Sequence, residues 1–120
     1  MARFLVFLVS FISIAHAEQL NESDYVHTYC TDGIIEYRLP DQTRVDCLTE
    51  DRAIEYDFDD KWAEALGQSL WYGVATNRQP GIVLILRSNQ SSKNLKRLLF
   101  VIWSKKLDVD VQFVDGDAGV

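Results

Sequence analysis

The stretch DCLTEDRAIEYDFDDKWAEALGQSLWY, residues 46–72, contains the change of pattern that decides the fold. Up to Phe58 it consists of short runs rich in β-branched and aromatic residues, which are typical of strands joined by a turn at TEDR. From residue 59 onwards, apolar side chains recur every three or four positions, as they do on one side of a helix. Asp59 or Asp60 can cap that helix. The stretch therefore predicts strand, turn, strand and helix.

Strands and helices are also predicted on both sides of this stretch. The sequence predicts strands at GIIEYRL (33–39), RVDCL (44–48), AIEYDF (53–58), GIVLILR (81–87) and DVDVQFV (108–114), and helices at 59–77 and 91–107. This order, β-β-β-α-β-α-β, predicts an α/β (α+β) domain over residues 33–114 with a single mixed β-sheet flanked by helices. Residues 18–32 are a polar N-terminal segment with one helical turn near 24–29, and residues 115–120 form a loose tail.

The N-terminus has the layout of a secretory signal peptide. Residues 1–17, MARFLVFLVSFISIAHA, contain a basic Arg3, an apolar run and the small-x-small ending Ala15-His16-Ala17. Cleavage is expected before Glu18. The apolar run is shorter than the roughly 20 residues that span a bilayer, so we expect an exported protein, periplasmic or extracellular, with no stable membrane span after cleavage.

The chain is acidic and has two cysteines. Its 12 basic and 18 acidic residues give a net charge of −6, which disfavours tight nonspecific binding to nucleic acid. In an exported chain, Cys30 and Cys47 are expected to form a disulfide. The alternatives are two buried free thiols or a metal site, which the absence of a CxxC pattern disfavours.

Two acids of the decisive stretch suggest a metal site. Asp46 lies in the second strand and Glu55 in the third, so a tight turn at TEDR places their carboxylates side by side. A divalent cation relieves the repulsion between two such groups, and Mg²⁺ prefers oxygen ligands. We therefore expect Asp46 and Glu55 to bind Mg²⁺ or Mn²⁺, and the ion to activate water for attack on a phosphodiester.

The helix that follows carries a polar stripe of Lys61, Glu64, Gln68 and Tyr72, spaced by three, four and four residues. Because the stripe begins three residues after the third strand, it would run past the two carboxylates. Asp57, Asp59 and Asp60 are instead interpreted as a solvated, capping face.

Together, RVDCL and AIEYDFDDKWAEALGQSLWY resemble the core of the PD-(D/E)XK nuclease superfamily, the restriction-endonuclease-like fold. The resemblance assigns Asp46 and Glu55 as metal ligands, and Gln68 with Tyr72 as the Gln-x-x-x-Tyr pair on the helix. Glu36, on the first strand, can stand in for a further upstream acid of that family. The resemblance implies a mixed sheet flanked by helices over residues 33–114 and Mg²⁺-dependent hydrolysis of nucleic acid.

The sequence departs from the family at its lysine. The family's Glu-x-Lys is Glu55-Tyr56-Asp57 here, so Lys61 is the candidate to position the attacking water. Glu36 would lie near Asp46 if the first hairpin had a three-residue loop, and on the opposite face if the loop had two residues.

The second predicted helix concentrates positive charge. Its basic residues either contact phosphates of a nucleic acid or form a solvated face on an acidic protein; they are Lys93, Lys96, Arg97, Lys105 and Lys106. The three tryptophans are interpreted as packing residues. Besides a metal-dependent nuclease, the sequence allows a catalytically degenerate domain of the same fold that binds a protein partner, and a disulfide-stabilised exported interaction module.

Overall fold

The computed structural model describes residues 19–116; the predicted signal peptide, and residues 117–120 of the predicted tail, lie outside these residues. The helices are α1 (Glu22–Tyr29), α2 (Trp62–Thr76) and α3 (Ser91–Ser104), and a 3₁₀ turn at Asp59–Lys61 precedes α2. The strands are β1 (Ile34–Arg38), β2 (Arg44–Leu48), β3 (Arg52–Phe58), β4 (Gln79–Leu86) and β5 (Asp110–Asp115). None of the described helices is long and apolar enough to cross a membrane.

The strands form one mixed sheet in the order β1-β2-β3-β4-β5. The first three strands pair antiparallel, as expected of a meander, whereas β3, β4 and β5 pair parallel because α2 and α3 cross over between them. The predicted mixed α+β fold with one helix-flanked sheet is confirmed. The observed element order is α-β-β-β-α-β-α-β, which adds an N-terminal helix to the predicted order.

That helix, α1, is longer than the single turn predicted near 24–29. Asn21 accepts a hydrogen bond from the amide of Asp24, and Asp24 accepts one from the amide of Asn21, which together form a capping box. Tyr25 and Val26 are buried against the sheet. The polar N-terminal segment is therefore part of the packed domain, because Tyr25 and Val26, one turn after the cap, are buried.

The sheet has separate cores on its two faces. On one face, Val26 of α1 and the Cys30–Cys47 disulfide pack against Tyr56 and Val83. On the other face, α2 and α3 cover apolar residues of β4, with Leu66 and Leu98 among the buried contacts of Ile82 and Leu84. β4 is consequently buried on both faces, as its almost wholly apolar sequence predicts.

The predicted disulfide is confirmed. Cys30 follows α1 and Cys47 lies in β2, at a sequence separation of 17 residues. Closing a loop of this size stabilises a fold by about 3 kcal/mol on a chain-entropy model. The bond ties α1 to the strand that carries Asp46, so it holds the N-terminal helix next to the candidate site.

Asp59 is buried, which corrects the prediction of a solvated, capping acid. Its carboxylate accepts hydrogen bonds from the amides of Arg87 (2.8 Å) and Ser88 (2.9 Å), from the Ser88 hydroxyl and from the Asn94 amide group (2.9 Å). Burial alone would raise the pKa of Asp59, but these bonds outweigh it and lower the pKa to about 2. Asp59 therefore joins the start of α2 to the loop between β4 and α3.

We predict that Asp59→Ala destabilises the fold by about 3–5 kcal/mol, since the substitution leaves several buried donors without an acceptor. Asp60→Ala is the matched control, because Asp60 is exposed and its replacement should change the free energy of unfolding by less than about 0.5 kcal/mol. Urea unfolding followed by circular dichroism measures both. Equal stability of the two variants would contradict the assigned role of Asp59.

Candidate active site

The candidate site begins where β2 separates from β3. The two strands pair only at Cys47 with Ile54 and at Leu48 with Ala53. Beyond these pairs, Oδ2 of Asp46 accepts a hydrogen bond of 2.8 Å from the backbone amide of Tyr56. A side chain thus takes the place of a backbone acceptor in the ladder, and this bond fixes the Asp46 carboxylate in the gap between the strands.

Glu55 lies next to Asp46 and is 6% exposed. The two carboxyl groups are close enough for one to donate a hydrogen bond to the other when it holds a proton. Among the described residues, Oε2 of Glu55 has no hydrogen-bond partner. Burial, followed by the charge of Asp46, raises the pKa of Glu55 to about 10. Burial also raises the pKa of Asp46. The pair therefore holds a shared proton at neutral pH.

A cavity of about 320 Å³ opens over this pair. It brings together four of the predicted site residues and the predicted additional acid: Asp46, Glu55, Gln68, Tyr72 and Glu36. Gln42, Thr43 and Arg44 complete its lining. Residues from β1, β2, β3 and α2 thus converge on one space, although they are separated by up to 36 positions in the chain.

The helix α2 supplies Gln68 and Tyr72 to the cavity. Tyr72 is 5% exposed and packs among Leu39, Val45 and Leu48. Burial, with the nearby charges of Glu55 and Asp46, raises the pKa of Tyr72 to about 12. Its hydroxyl therefore stays protonated at neutral pH and is available as a hydrogen-bond donor, while Gln68 lies on the exposed side of the same helix.

Glu36 reaches the cavity because the first hairpin has a three-residue loop. The amide of Leu39 donates to the carbonyl of Thr43 at 2.8 Å, and Tyr37 pairs with Val45. This register places Glu36 opposite Asp46, which was one of the two predicted arrangements. The charge of Glu36 contributes to the raised pKa of Asp46, while its own carboxylate lies 3.7 Å from Arg44.

Lys61 does not line this cavity, unlike the four other predicted catalytic residues. Its ammonium lies 3.4 Å from Oε1 of Glu22, at the start of α1. Its pKa is raised first by Glu22 and then by Asp57. Lys61 is therefore held at the margin of the site by Glu22, which lies 39 positions upstream. In the structure, Lys61 does not reach back to the Asp46–Glu55 pair as expected.

Asp57 is buried, which is a second correction to the predicted solvated face. It is 3% exposed and lies two positions after Glu55, on the same side of β3. Burial, followed by a hydrogen bond with Glu22, raises the pKa of Asp57 to about 8. The charge of Asp57 in turn contributes to the raised pKa of Glu55. Asp57 and Glu22 therefore form a row of acidic side chains between the Asp46–Glu55 pair and Lys61.

Two residues of the site were not predicted from the sequence. Arg44 stands two positions before Asp46 on β2, and regular strand alternation would put both on one side, so this spacing was a usable signal. Among the described residues, Arg44 is the one basic side chain that lines the cavity. Glu22 had no such signal, since only the packing of α1 brings it to Lys61 and Asp57.

The Asp46–Glu55 pair fits a small divalent cation chemically. A buried carboxylate oxygen without a hydrogen-bond partner, beside a second carboxylate, is an arrangement that a cation can satisfy in place of a proton. Within residues 19–116, no group of three or more His, Cys, Asp and Glu side chains is arranged to hold a metal ion. Asp46 and Glu55 would thus supply two ligands, and water or phosphate oxygens the rest.

The predicted basic group of α3 lies away from this cavity. Lys93, Lys96 and Arg97 are exposed on α3, and Lys105 with Lys106 follows its C-terminus. None of the five lines the cavity, whose helical wall comes from α2.

Comparison of the chain with protein-family models, with curated proteins and with solved structures gives no match.

We predict that Glu55→Gln stabilises the cation-free protein at alkaline pH. The folded protein keeps a proton on Glu55, whereas the unfolded chain releases it above the ordinary pKa of 4.5. Glu55 therefore lowers the free energy of unfolding progressively as pH rises from 4.5 to about 10. A glutamine avoids that loss. Thermal unfolding in a chelator should show the variant gaining on the parent as pH rises, by several kcal/mol at pH 9.

The matched control is Glu64→Gln, since Glu64 is exposed on α2 and its replacement should leave the pH dependence of unfolding unchanged. A constant difference between Glu55→Gln and the parent across the pH range would mean that Glu55 is ionised in the folded protein, contrary to the prediction.

Proposed function

We propose that this chain is a small exported protein of PD-(D/E)XK-like, restriction-endonuclease-like architecture that hydrolyses phosphodiester bonds in nucleic acid with a divalent cation, Mg²⁺ or Mn²⁺. The single observation that carries the proposal is the meeting of Asp46, Glu55, Gln68 and Tyr72 in one cavity. These residues come from three elements, and the resemblance had assigned them a common site. Their convergence in one cavity supports the proposal, because hydrolysis with a metal ion needs the ligands and the substrate-binding groups in one space.

The carboxyl pair would hold the ion. Asp46 is oriented by the Tyr56 amide, the Glu55 carboxyl lies beside it, and among the described residues Oε2 of Glu55 has no hydrogen-bond partner. A bound cation would polarise the phosphate and lower the pKa of a coordinated water. Loading the site requires Glu55 to release its proton, so binding of the cation should strengthen as pH rises.

The other lining residues suit a phosphodiester. The planar guanidinium of Arg44 matches phosphate oxygens in geometry. The Tyr72 hydroxyl remains a donor because its pKa is about 12, and the Gln68 amide group can donate or accept. We therefore assign Arg44, Gln68 and Tyr72 to binding and orienting the substrate. The five basic residues on and after α3 lie outside the cavity. They would contact more distant phosphates of the same nucleic acid only if it ran from the cavity across α2.

Lys61 has a conditional role in the proposal. In the structure its ammonium pairs with Glu22 beside Asp57. To position the attacking water, Lys61 would have to exchange Glu22 for the cavity, a rotation that a flexible four-carbon side chain permits. Because Lys61 and Glu22 are both partly exposed, their ion pair holds Lys61 weakly.

A second candidate function is a non-catalytic domain of the same fold that binds a protein partner. The specific observation in its favour is the position of Lys61, which leaves the cavity without a lysine. In that case the carboxyl pair would be a site that holds a cation or a proton but does not hydrolyse a substrate. The disulfide and the predicted signal peptide suit either candidate.

The two candidates differ in a cleavage assay on single-stranded DNA, duplex DNA and RNA, with Mg²⁺ or Mn²⁺ and with a chelator. We predict metal-dependent cleavage of at least one substrate, and a loss of about 100-fold or more in Asp46→Asn and in Glu55→Gln. Glu64→Gln is the control, because it changes an exposed acid of α2 outside the cavity and should retain activity.

Glu22→Gln tests the conditional role of Lys61. If Glu22 restrains a catalytic lysine, this variant should cleave at least as fast as the parent, whereas Lys61→Met should be inactive. Absence of cleavage in the folded parent with every substrate and both metals would overturn the hydrolase proposal. Retained binding of Mn²⁺ by that inactive parent, lost in Asp46→Asn, would support the second candidate.

A further inference from the structure

The outer surface of α3 combines positive charge with exposed aromatic rings. No acidic residue occurs between Glu64 and Asp108, although the whole chain is acidic. Within that acid-free stretch, five of the 12 Lys and Arg residues of the chain lie on α3 or directly after it, namely Lys93, Lys96, Arg97, Lys105 and Lys106. The surface therefore has a local charge opposite to that of the protein.

Two large aromatic side chains protrude from the same surface. Phe100 is 66% exposed and Trp103 is 77% exposed, and their ring centroids are 6.2 Å apart. The sequence predicts that Trp103 is a packing residue, but α3 packs on the sheet through other positions, such as Leu98 and Ile102. Lys93, Lys96, Phe100 and Trp103 follow spacings of three or four residues, so they form one line along the outside of the helix.

Basic side chains beside exposed aromatic rings suit a partner that is anionic at its surface and apolar just beneath it. Exposed aromatic residues rimmed by polar ones mark interaction surfaces. Rings that protrude from a convex helix can insert into a partner that is apolar beneath its surface. Duplex nucleic acid presents phosphates outside and stacked bases inside, and the rings would then meet charged phosphates. A phospholipid bilayer presents an anionic head-group layer over an apolar layer, where Trp and Lys side chains are favoured.

We propose that the outer face of α3 docks on the surface of an anionic phospholipid bilayer. Phe100 and Trp103 insert at the level of the head groups, and the surrounding lysines and Arg97 pair with lipid phosphates. This is peripheral binding by a folded domain. It is independent of the proposed hydrolase function, because neither Phe100 nor Trp103 nor any of the five basic residues lines the Asp46–Glu55 cavity.

The test is flotation of the full chain with vesicles of phosphatidylcholine alone and with about 30 mol % phosphatidylglycerol. We expect binding to the anionic vesicles that weakens with salt. The partition coefficient should fall at least tenfold in the double variant Phe100→Ser with Trp103→Ser, and likewise in Lys93→Glu with Lys96→Glu. Phe113→Ser is the matched control, because Phe113 is 60% exposed at the edge strand β5, and it should bind like the parent.

The apolar run of residues 4–15 can itself associate with lipid, so a local readout is needed. The fluorescence difference between the parent and Trp103→Phe isolates the emission of Trp103. It should shift to shorter wavelength on addition of anionic vesicles and not of neutral ones. Absence of this shift would overturn the proposal even if the chain floats. Quenching of Trp103 by single-stranded oligonucleotide, without a shift on vesicles, would overturn it in favour of nucleic acid.

Discussion

Two carboxyl groups that share one buried space constrain the whole candidate site. Asp46 is held between β2 and β3 by the Tyr56 amide. Glu55 lies on the neighbouring strand, and among the described residues its Oε2 has no hydrogen-bond partner. Two full negative charges cannot remain side by side at low exposure. Either a proton or a cation must lie between the two carboxylates. The other residues of the cavity surround this pair.

The acids that follow Glu55 show how strongly environment decides the role of a carboxylate. Asp59 is buried among donors and keeps its charge, so it works as a structural acceptor for the loop before α3. Asp57 is buried beside another acid, Glu22, and its pKa rises to about 8. Asp60 is exposed. A run of acids that looks uniform in the sequence thus contains a structural anchor, a proton-holding group and a solvated side chain.

Much of the fold could be predicted from the sequence because its determinants are local. The alternation of residues 44–58, the apolar run of β4 and the helical spacing after residue 59 led to strands and helices close to those observed. The Asp46–Glu55 neighbourhood also follows from local rules, since one tight turn brings adjacent strands together. The Cys30–Cys47 bond followed from the expected export of the chain and from the even number of cysteines.

The features that could not be predicted depend on distant contacts. Lys61 pairs with Glu22 only because α1 packs across the sheet, and no spacing in the sequence links residues so far apart. The burial of Asp59 depends on the loop after β4, which supplies its donors. The exposure of Trp103 reflects which face of α3 meets the sheet, and an aromatic residue on a helix gives no sign of that choice.

The exchange of a shared proton for a cation can be measured directly by calorimetric titration of the protein with Mn²⁺ at neutral pH, in two buffers of different ionisation enthalpy. If Asp46 and Glu55 hold one proton between them and then one ion, binding should release about one proton per ion, and Glu55→Gln should abolish the release. Binding of Mn²⁺ without any proton release, or no binding to the folded protein, would contradict the assignment of this pair as a site shared by a proton and a divalent cation.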